Sequence, residues 1–136
     1  MTEVINKIKN YYVNSNINKN IMGTFKHKYD FNKRCTESSK ILNKYPDRVP
    51  IICERMSKQI VKLDKTKFLC PRDLNMGNFM YIIRKRMKLS SEKSIYLFVG
   101  KSVLAPSSKN IDSIYEKYKD KDGFLYIGYD SESTFG

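Results

Sequence analysis

The sequence predicts an α+β domain built on a mixed four-stranded sheet, and three observations carry that reading. Four short segments, 49–53, 65–70, 94–99 and 124–129, have the lengths and apolar patterns of strands. Between the second and third, Met76, Phe79, Met80, Ile83 and Met87 recur at helical spacing behind Asn75, a good N-cap. Between the third and fourth, a shorter helical pattern runs from Ile111 to Tyr118, with Asp112 near its positive end.

Taken in order, the chain first forms a helix over 31–45, where Phe31, Cys35, Ser38, Leu42 and Tyr45 are the expected buried stripe. The helix stops at Tyr45, because the residue before a proline is pushed out of the helical region. Ile41 lies one turn from Glu37 and roughly 60 to 100° around the helix from that stripe. An isoleucine off the core line beside a glutamate is the expected wall of a pocket, although singly exposed apolar residues are common. The run Val49-Pro-Ile-Ile-Cys53 is β-branched and short enough for a buried strand. Residues 56–64 turn the chain into the strand 65–70, with Lys65, Lys67 and Leu69 on one face and Thr66, Phe68 and Cys70 on the other. Lysines along one strand discourage unwanted pairing, so this is the expected sheet edge. Pro71 closes it, Gly100 ends an expected central strand at 94–99, and Asp122-Gly123 turns into the last strand. A hairpin wrapped around one long helix, with later strands completing the sheet, is the ubiquitin-like β-grasp.

At 136 residues the chain fits one domain, read as 23–130, with a polar tail at 131–136 and an extension at 1–22. The extension is rich in Asn and Lys; it is either disordered or a short amphipathic helix through Val4, Ile5, Ile8, Tyr11 and Tyr12. The net charge of +12 favours acidic peptides, anionic lipid or nucleic acid without ranking them, and no RNA-binding motif is present. Three widely spaced cysteines and the single His27 have no zinc-ligand spacing, so no metal is expected and a reducing, cytoplasmic compartment is. No run approaches the ~20 apolar residues of a membrane span. No nucleophile, acid–base pair or phosphate-cradling loop is visible, so neither an enzyme nor a cofactor is expected. Gly136 has no Cβ, leaving its carbonyl open to a nucleophile, which suits a chain that is itself a substrate; a domain simply ending in small polar residues is the alternative.

The segments Lys44-Tyr-Pro-Asp-Arg-Val-Pro50, Leu63-Asp-Lys-Thr-Lys-Phe-Leu-Cys-Pro71, Gly77-Asn-Phe-Met-Tyr-Ile-Ile-Arg-Lys-Arg86, Tyr115-Glu-Lys-Tyr118 and Asp122-Gly-Phe-Leu-Tyr-Ile-Gly-Tyr129 resemble the autophagy ubiquitin-like modifiers, the GABARAP and light chain 3 relatives. The resemblance runs from Lys26 to Gly136, with Cys70 in place of a commoner valine and an extension longer than usual. It implies a ubiquitin-like core behind two N-terminal helices and conjugation of Gly136 to phosphatidylethanolamine. The implied partners are activating and conjugating enzymes, a delipidating cysteine protease, receptor peptides and, through the N-terminal helix, tubulin. The implied location is the autophagosome or another cytoplasmic vesicle membrane. Two rival readings are an adaptor that is never lipidated and a basic microtubule- or RNA-binding module.

The resemblance also implies two receptor-docking pockets. Glu37, Ile41, Pro50, Lys67, Leu69 and Phe124 would take the aromatic residue of an aromatic-x-x-aliphatic motif. Phe68, Cys70, Pro71, Leu74, Phe79 and Ile82 would take the aliphatic residue, while Arg48, Lys65 and Arg86 would meet flanking acidic residues. A peptide added as a strand at 65–70 fits this scheme. On that placement, Leu69→Ala and Phe124→Ala are both expected to weaken binding at least tenfold in a domain that stays folded.

Overall fold

A computed structural model describes residues 23–100 and 103–132. Two N-terminal helices, α1 (Thr24–Lys28) and α2 (Phe31–Lys44), precede the hairpin β1 (Arg48–Arg55) and β2 (Lys67–Pro71). Helix α3 (Met76–Met87) follows, then β3 (Ile95–Val99), β4 (Val103–Leu104), α4 (Ile111–Tyr118) and β5 (Leu125–Ser131). The sheet order is β2-β1-β5-β3-β4, with β1 and β5 parallel at its centre and the other pairs antiparallel. The expected α+β grasp is therefore present with one strand more than the four expected: the two-residue β4, which pairs with Phe98 and Val99.

The main core lies between the sheet and α3, where Val49, Ile51, Cys53, Phe68, Cys70, Phe79, Ile83, Leu97 and Ile127 pack together. Met76, Phe79 and Ile83 are buried as the helical pattern requires, and Met80 and Met87 pack at the margin. Asn75 caps α3 reciprocally: its side chain accepts from the Asn78 N–H at 2.8 Å, and Asn78 accepts from the Asn75 N–H at 3.1 Å. Helices α1 and α2 cover the opposite face through a smaller cluster, Phe25, Ile52 and Phe124, with Tyr29, Ile41 and Tyr126 against it.

The expected buried stripe of α2 is not the one that packs. Phe31 is 47% exposed and Tyr45 36%, Cys35 and Leu42 are half-buried, and of that set only Ser38 is buried. The inward face is Arg34, Ser38 and Ile41, so Ile41 lies on the packed side rather than off it. The physical reason is a buried polar junction. Arg34 Nε donates to Asp122 Oδ2 at 2.8 Å, and Ser38 Oγ donates to the Asp122 carbonyl at 2.5 Å. Asp122 also accepts from the Tyr126 hydroxyl at 2.5 Å and the Phe124 N–H at 2.9 Å. Gly123 makes the close approach feasible: its φ is +94°, and a Cβ there would meet Ser38 Oγ at 2.5 Å.

Buried Glu54 holds α1 in place, accepting from the N–H groups of Gly23 at 3.2 Å and Phe25 at 3.0 Å, where a carboxylate suits a helix start. Pro50 sits inside β1 without breaking the sheet. Cys53 N–H donates toward β2, to the Thr66 carbonyl at 2.8 Å, so alternation points the Pro50 nitrogen toward β5, where pairing begins only at Ile51. Strand β5 extends to Ser131, the first residue of the expected tail. The expected extension at 1–22 and Gly136 lie outside the described residues.

Candidate functional site

The candidate site is the outer edge of β2. This strand is bonded to β1 on one side and is last in the sheet order on the other, which is the edge expected from its lysines, although the strand begins at Lys67 rather than Lys65. Opposed residues of an antiparallel pair alternate between bonded and non-bonded. Since Cys53 bonds to Thr66, the residues in step with it, Phe68 and Cys70, turn their backbone groups to β1. Lys67 and Leu69 therefore direct theirs outward. Two residues offer a register of donors and acceptors to an added strand.

Each face of this edge carries an apolar site. On the α2 side, Pro50 is opposite Leu69 and Ile52 is opposite Lys67, which puts these four side chains on one face. Ile41 and Phe124 join there through the Phe25–Ile52–Phe124 cluster. Glu37 and Lys67 form an ion pair across the mouth. The Lys67 ammonium also sits 5.5 Å from the Phe25 ring centre and 5.7 Å from that of Tyr29. All six residues expected of an aromatic pocket thus lie about this face: Ile41 and Leu69 are half-buried, Pro50 and Phe124 are buried, and Glu37 is paired with Lys67. Phe124 is only 1% exposed, so truncating it opens a core cavity, contrary to the expectation that Phe124→Ala leaves the domain intact. The sequence reading missed Ile52, Phe25 and Tyr29. Ile52 was legible, because it follows Pro50 by two along a strand.

On the α3 side, Phe68 and Phe79 meet edge to face at 5.6 Å, with Cys70 buried in the same cluster and Leu74 packed against it. Phe68, Cys70 and Phe79 are 6%, 4% and 0% exposed and so are sealed in the core, while Pro71, Leu74 and Ile82 are half-buried. The cations divide between the two ends of the strand. The Lys65 ammonium and Arg86 guanidinium lie 5.1 and 6.0 Å from the Phe68 ring centre, and Arg86 pairs with Asp64 at 3.1 Å. Arg48 stands at the other end, opposite Pro71 and 5.9 Å from the Tyr45 ring centre.

A cavity of about 440 Å³ adjoins the first site, sharing Phe25, Tyr29 and Lys67 and running under α1 to Glu54 and Lys62. Burial pushes the Cys70 thiol up to about 11 and the Cys53 thiol well above its ordinary value, so neither is a thiolate near neutral pH. Among the described residues, no group of three or more His, Cys, Asp or Glu is placed to hold a metal ion, and no helix is long and apolar enough to cross a membrane.

Comparison with known proteins matches the same elements. The family described as "Autophagy protein Atg8 ubiquitin like" matches residues 33–136. Autophagy-related protein 8 of Schizosaccharomyces pombe is 51% identical over 113 residues, covering 82% of this chain and 93% of the relative. The Aspergillus niger protein of the same name is 52% identical over 113 residues, covering 82% of this chain and 95% of its own. Trypanosoma brucei ATG8, a crystal structure, superposes with a TM-score of 0.76 at 40% identity, over 80% of this chain and 94% of that one. With this fold, this edge and these relatives, the chain belongs to the Atg8 family of ubiquitin-like autophagy modifiers, whose role is conjugation to lipid and binding of receptors.

Proposed function

We propose that this chain is carried on autophagic membranes by an amide between Gly136 and phosphatidylethanolamine, and that it docks receptor peptides of the form aromatic-x-x-aliphatic along β2. The observation that carries the docking half is the open β2 edge, with outward-facing backbone at Lys67 and Leu69 and an apolar site on each face. A strand added there alternates its side chains, so residues three apart reach opposite sides of the edge. The aromatic residue enters over Leu69, Ile41 and Phe124; the aliphatic residue lies over Leu74, Pro71 and Ile82. Burial of each anchor contributes about 1.5 to 3 kcal/mol. Each exposed contact from Lys65, Arg86 or Arg48 to a flanking acid contributes about 0.2 to 1 kcal/mol. Affinity therefore follows the pockets, and partner preference the charges.

The conjugation half rests on the family match, which extends to Gly136. In this reading the chain is substrate rather than catalyst. Activating and conjugating enzymes take the Gly136 carboxylate through an adenylate and thioesters on their own cysteines, and a cysteine protease reverses the lipid bond. Two acyl chains hold the domain firmly, where one would bind reversibly. Residues 1–22 are read as an extension and 131–136 as the conjugation tail. Calorimetric titration with an acidic peptide carrying the aromatic-x-x-aliphatic motif tests the docking half: binding to wild type that falls at least tenfold with Leu69→Ala supports it, and equal affinity for both chains overturns it.

A further inference from the structure

The cavity of about 440 Å³ beneath α1 collects cations from several parts of the chain. Lys28 ends α1, Arg55 closes β1, Lys58 and Lys62 stand on the connection that follows, and Lys67 opens β2. Glu54 is the one acid among the lining residues, and its carboxylate already accepts from the N–H groups of Gly23 and Phe25. Lys67 is paired with Glu37. Among the described residues, no carboxylate lies within ion-pair distance of Lys28, Arg55, Lys58 or Lys62.

Charge of one sign around a concave space repels itself, and low-dielectric walls focus its field on whatever enters. The buried part of this lining is mostly apolar, from Phe25, Cys53, Leu63 and Tyr129. The Tyr129 hydroxyl is occupied there, accepting from the Leu63 N–H at 2.9 Å. The exposed part carries the lysines, with Arg55 half-buried between. The connection that bears Lys58 and Lys62 is tied down at several points. Arg55 Nη1 donates to the Ile60 carbonyl at 3.3 Å, Ser57 Oγ donates to buried Asp130 at 2.7 Å, and the Gln59 N–H donates to Ser57 Oγ at 3.1 Å. The cationic groups are therefore held out on a fastened backbone with no internal acid to neutralise them.

We propose that this cavity binds a phosphorylated polyol, its ring against the apolar part of the lining and its phosphates among Lys28, Arg55, Lys58 and Lys62. A phosphate monoester near neutral pH offers three strong acceptor oxygens and up to two negative charges, which suits ammonium point charges and a guanidinium fork. The volume lies within the range of small-ligand sites. A flat bilayer surface would meet only the exposed lysines, whereas a single headgroup can enter. The chemistry is shared by a free polyol phosphate and by the same group at the head of a lipid. Neither Gly136 nor the side chains over which the receptor anchors dock take part, so this site stands apart from both halves of the function proposed above.

The test is calorimetric titration of the full chain with inositol bisphosphate at physiological ionic strength. A Lys58→Gln, Lys62→Gln variant is set beside a Lys85→Gln, Lys88→Gln control, which removes the same charge from the α3 side of the sheet. The control is expected to bind within about twofold of wild type, since distant charge acts only through the screened field. Loss of two charge-assisted contacts is expected to weaken the first variant by at least about tenfold. Both positions of the first variant are exposed, and equal urea midpoints check that it is folded; if it is not, Lys28→Gln reads the same site from α1. No binding by wild type, or equal losses in the two double variants, overturns the site. Flotation with vesicles containing phosphatidylinositol monophosphate identifies the source. Capture lost only from the Lys58, Lys62 variant supports a lipid headgroup; with site-dependent calorimetric binding, capture that is absent or lost equally supports a free compound. A serine-phosphorylated peptide that binds more tightly than inositol bisphosphate through the same lysines overturns the proposal in favour of a protein partner.

Discussion

Replacing Arg34 with Ala tests the junction that fixes α2 to the sheet. The Asp122 side chain is fully buried, and Arg34, 11% exposed at its side chain, is its cationic partner. Removing one partner of a buried pair costs about 3 to 5 kcal/mol, because the remaining charge is stranded. Asp122 keeps the Tyr126 hydroxyl and the Phe124 N–H as donors, which places the loss at the lower end, about 3 kcal/mol. The Tyr29 carbonyl, which accepts from Arg34 Nη1 at 2.8 Å, loses that donor as well. For a urea slope of about 1.5 kcal/mol per molar, the unfolding midpoint falls by about 2 M. A four-variant cycle with Asp122→Asn is expected to give a coupling of at least about 1 kcal/mol. Peptide affinity falls too, since Glu37 and Ile41 ride on the same helix. A loss below about 1 kcal/mol, or fully additive variants, would refute the view that a polar junction rather than an apolar stripe seats α2.

Leu69→Ala is expected to cost the receptor peptide about 1.4 kcal/mol, a tenfold change, with the unfolding midpoint little altered; calorimetry and urea titration on one preparation check both halves. Phe124→Ala is expected to lose about 3 to 5 kcal/mol of stability as a core cavity, so a normal melting curve would contradict its buried placement. Iodoacetamide at pH 8 is expected to alkylate Cys35 well before buried Cys53 and Cys70, whose thiols are held protonated; peptide mass mapping reads the order. Burial alone would raise the Asp120 carboxyl, but the Lys26 ammonium at 2.6 Å and the Asp122 N–H hold it below its ordinary value. Its folded pKa is thus the lower one, so its contribution is complete above about pH 4 and is lost as the pH falls through the folded value. Stability curves of wild type and Asp120→Asn should therefore converge in acid and separate toward neutrality.

The sequence made some parts of this fold legible because their signals are local. Helix α3 shows its packed face as Met76, Phe79 and Ile83 at helical spacing, and its start as a capping Asn75. Helix α4 is bounded by the residues its pattern predicts. The α2 face was hidden for a physical reason. Arg34 and Ser38 are buried because Asp122 lies opposite them, 88 and 84 residues away in sequence, and periodicity carries no information about so distant a partner. Its exposed Phe31 and Tyr45 therefore imitated a core stripe. Strand β4 was unreadable because two residues cannot display a period. The edge character of β2 came from its lysines, and the pockets came from the family resemblance. Convergence of the pocket residues is a property of register, Pro50 against Leu69 and Ile52 against Lys67, which no single segment encodes.

The most direct measurement of the central claim is mass spectrometry after incubation with activating and conjugating enzymes, ATP and vesicles containing phosphatidylethanolamine. One phospholipid joined to Gly136 is expected, with no product when ATP is omitted and reversal by the delipidating protease. An unmodified chain in a mixture that lipidates a positive-control substrate, or a lipid found on another residue, would contradict it.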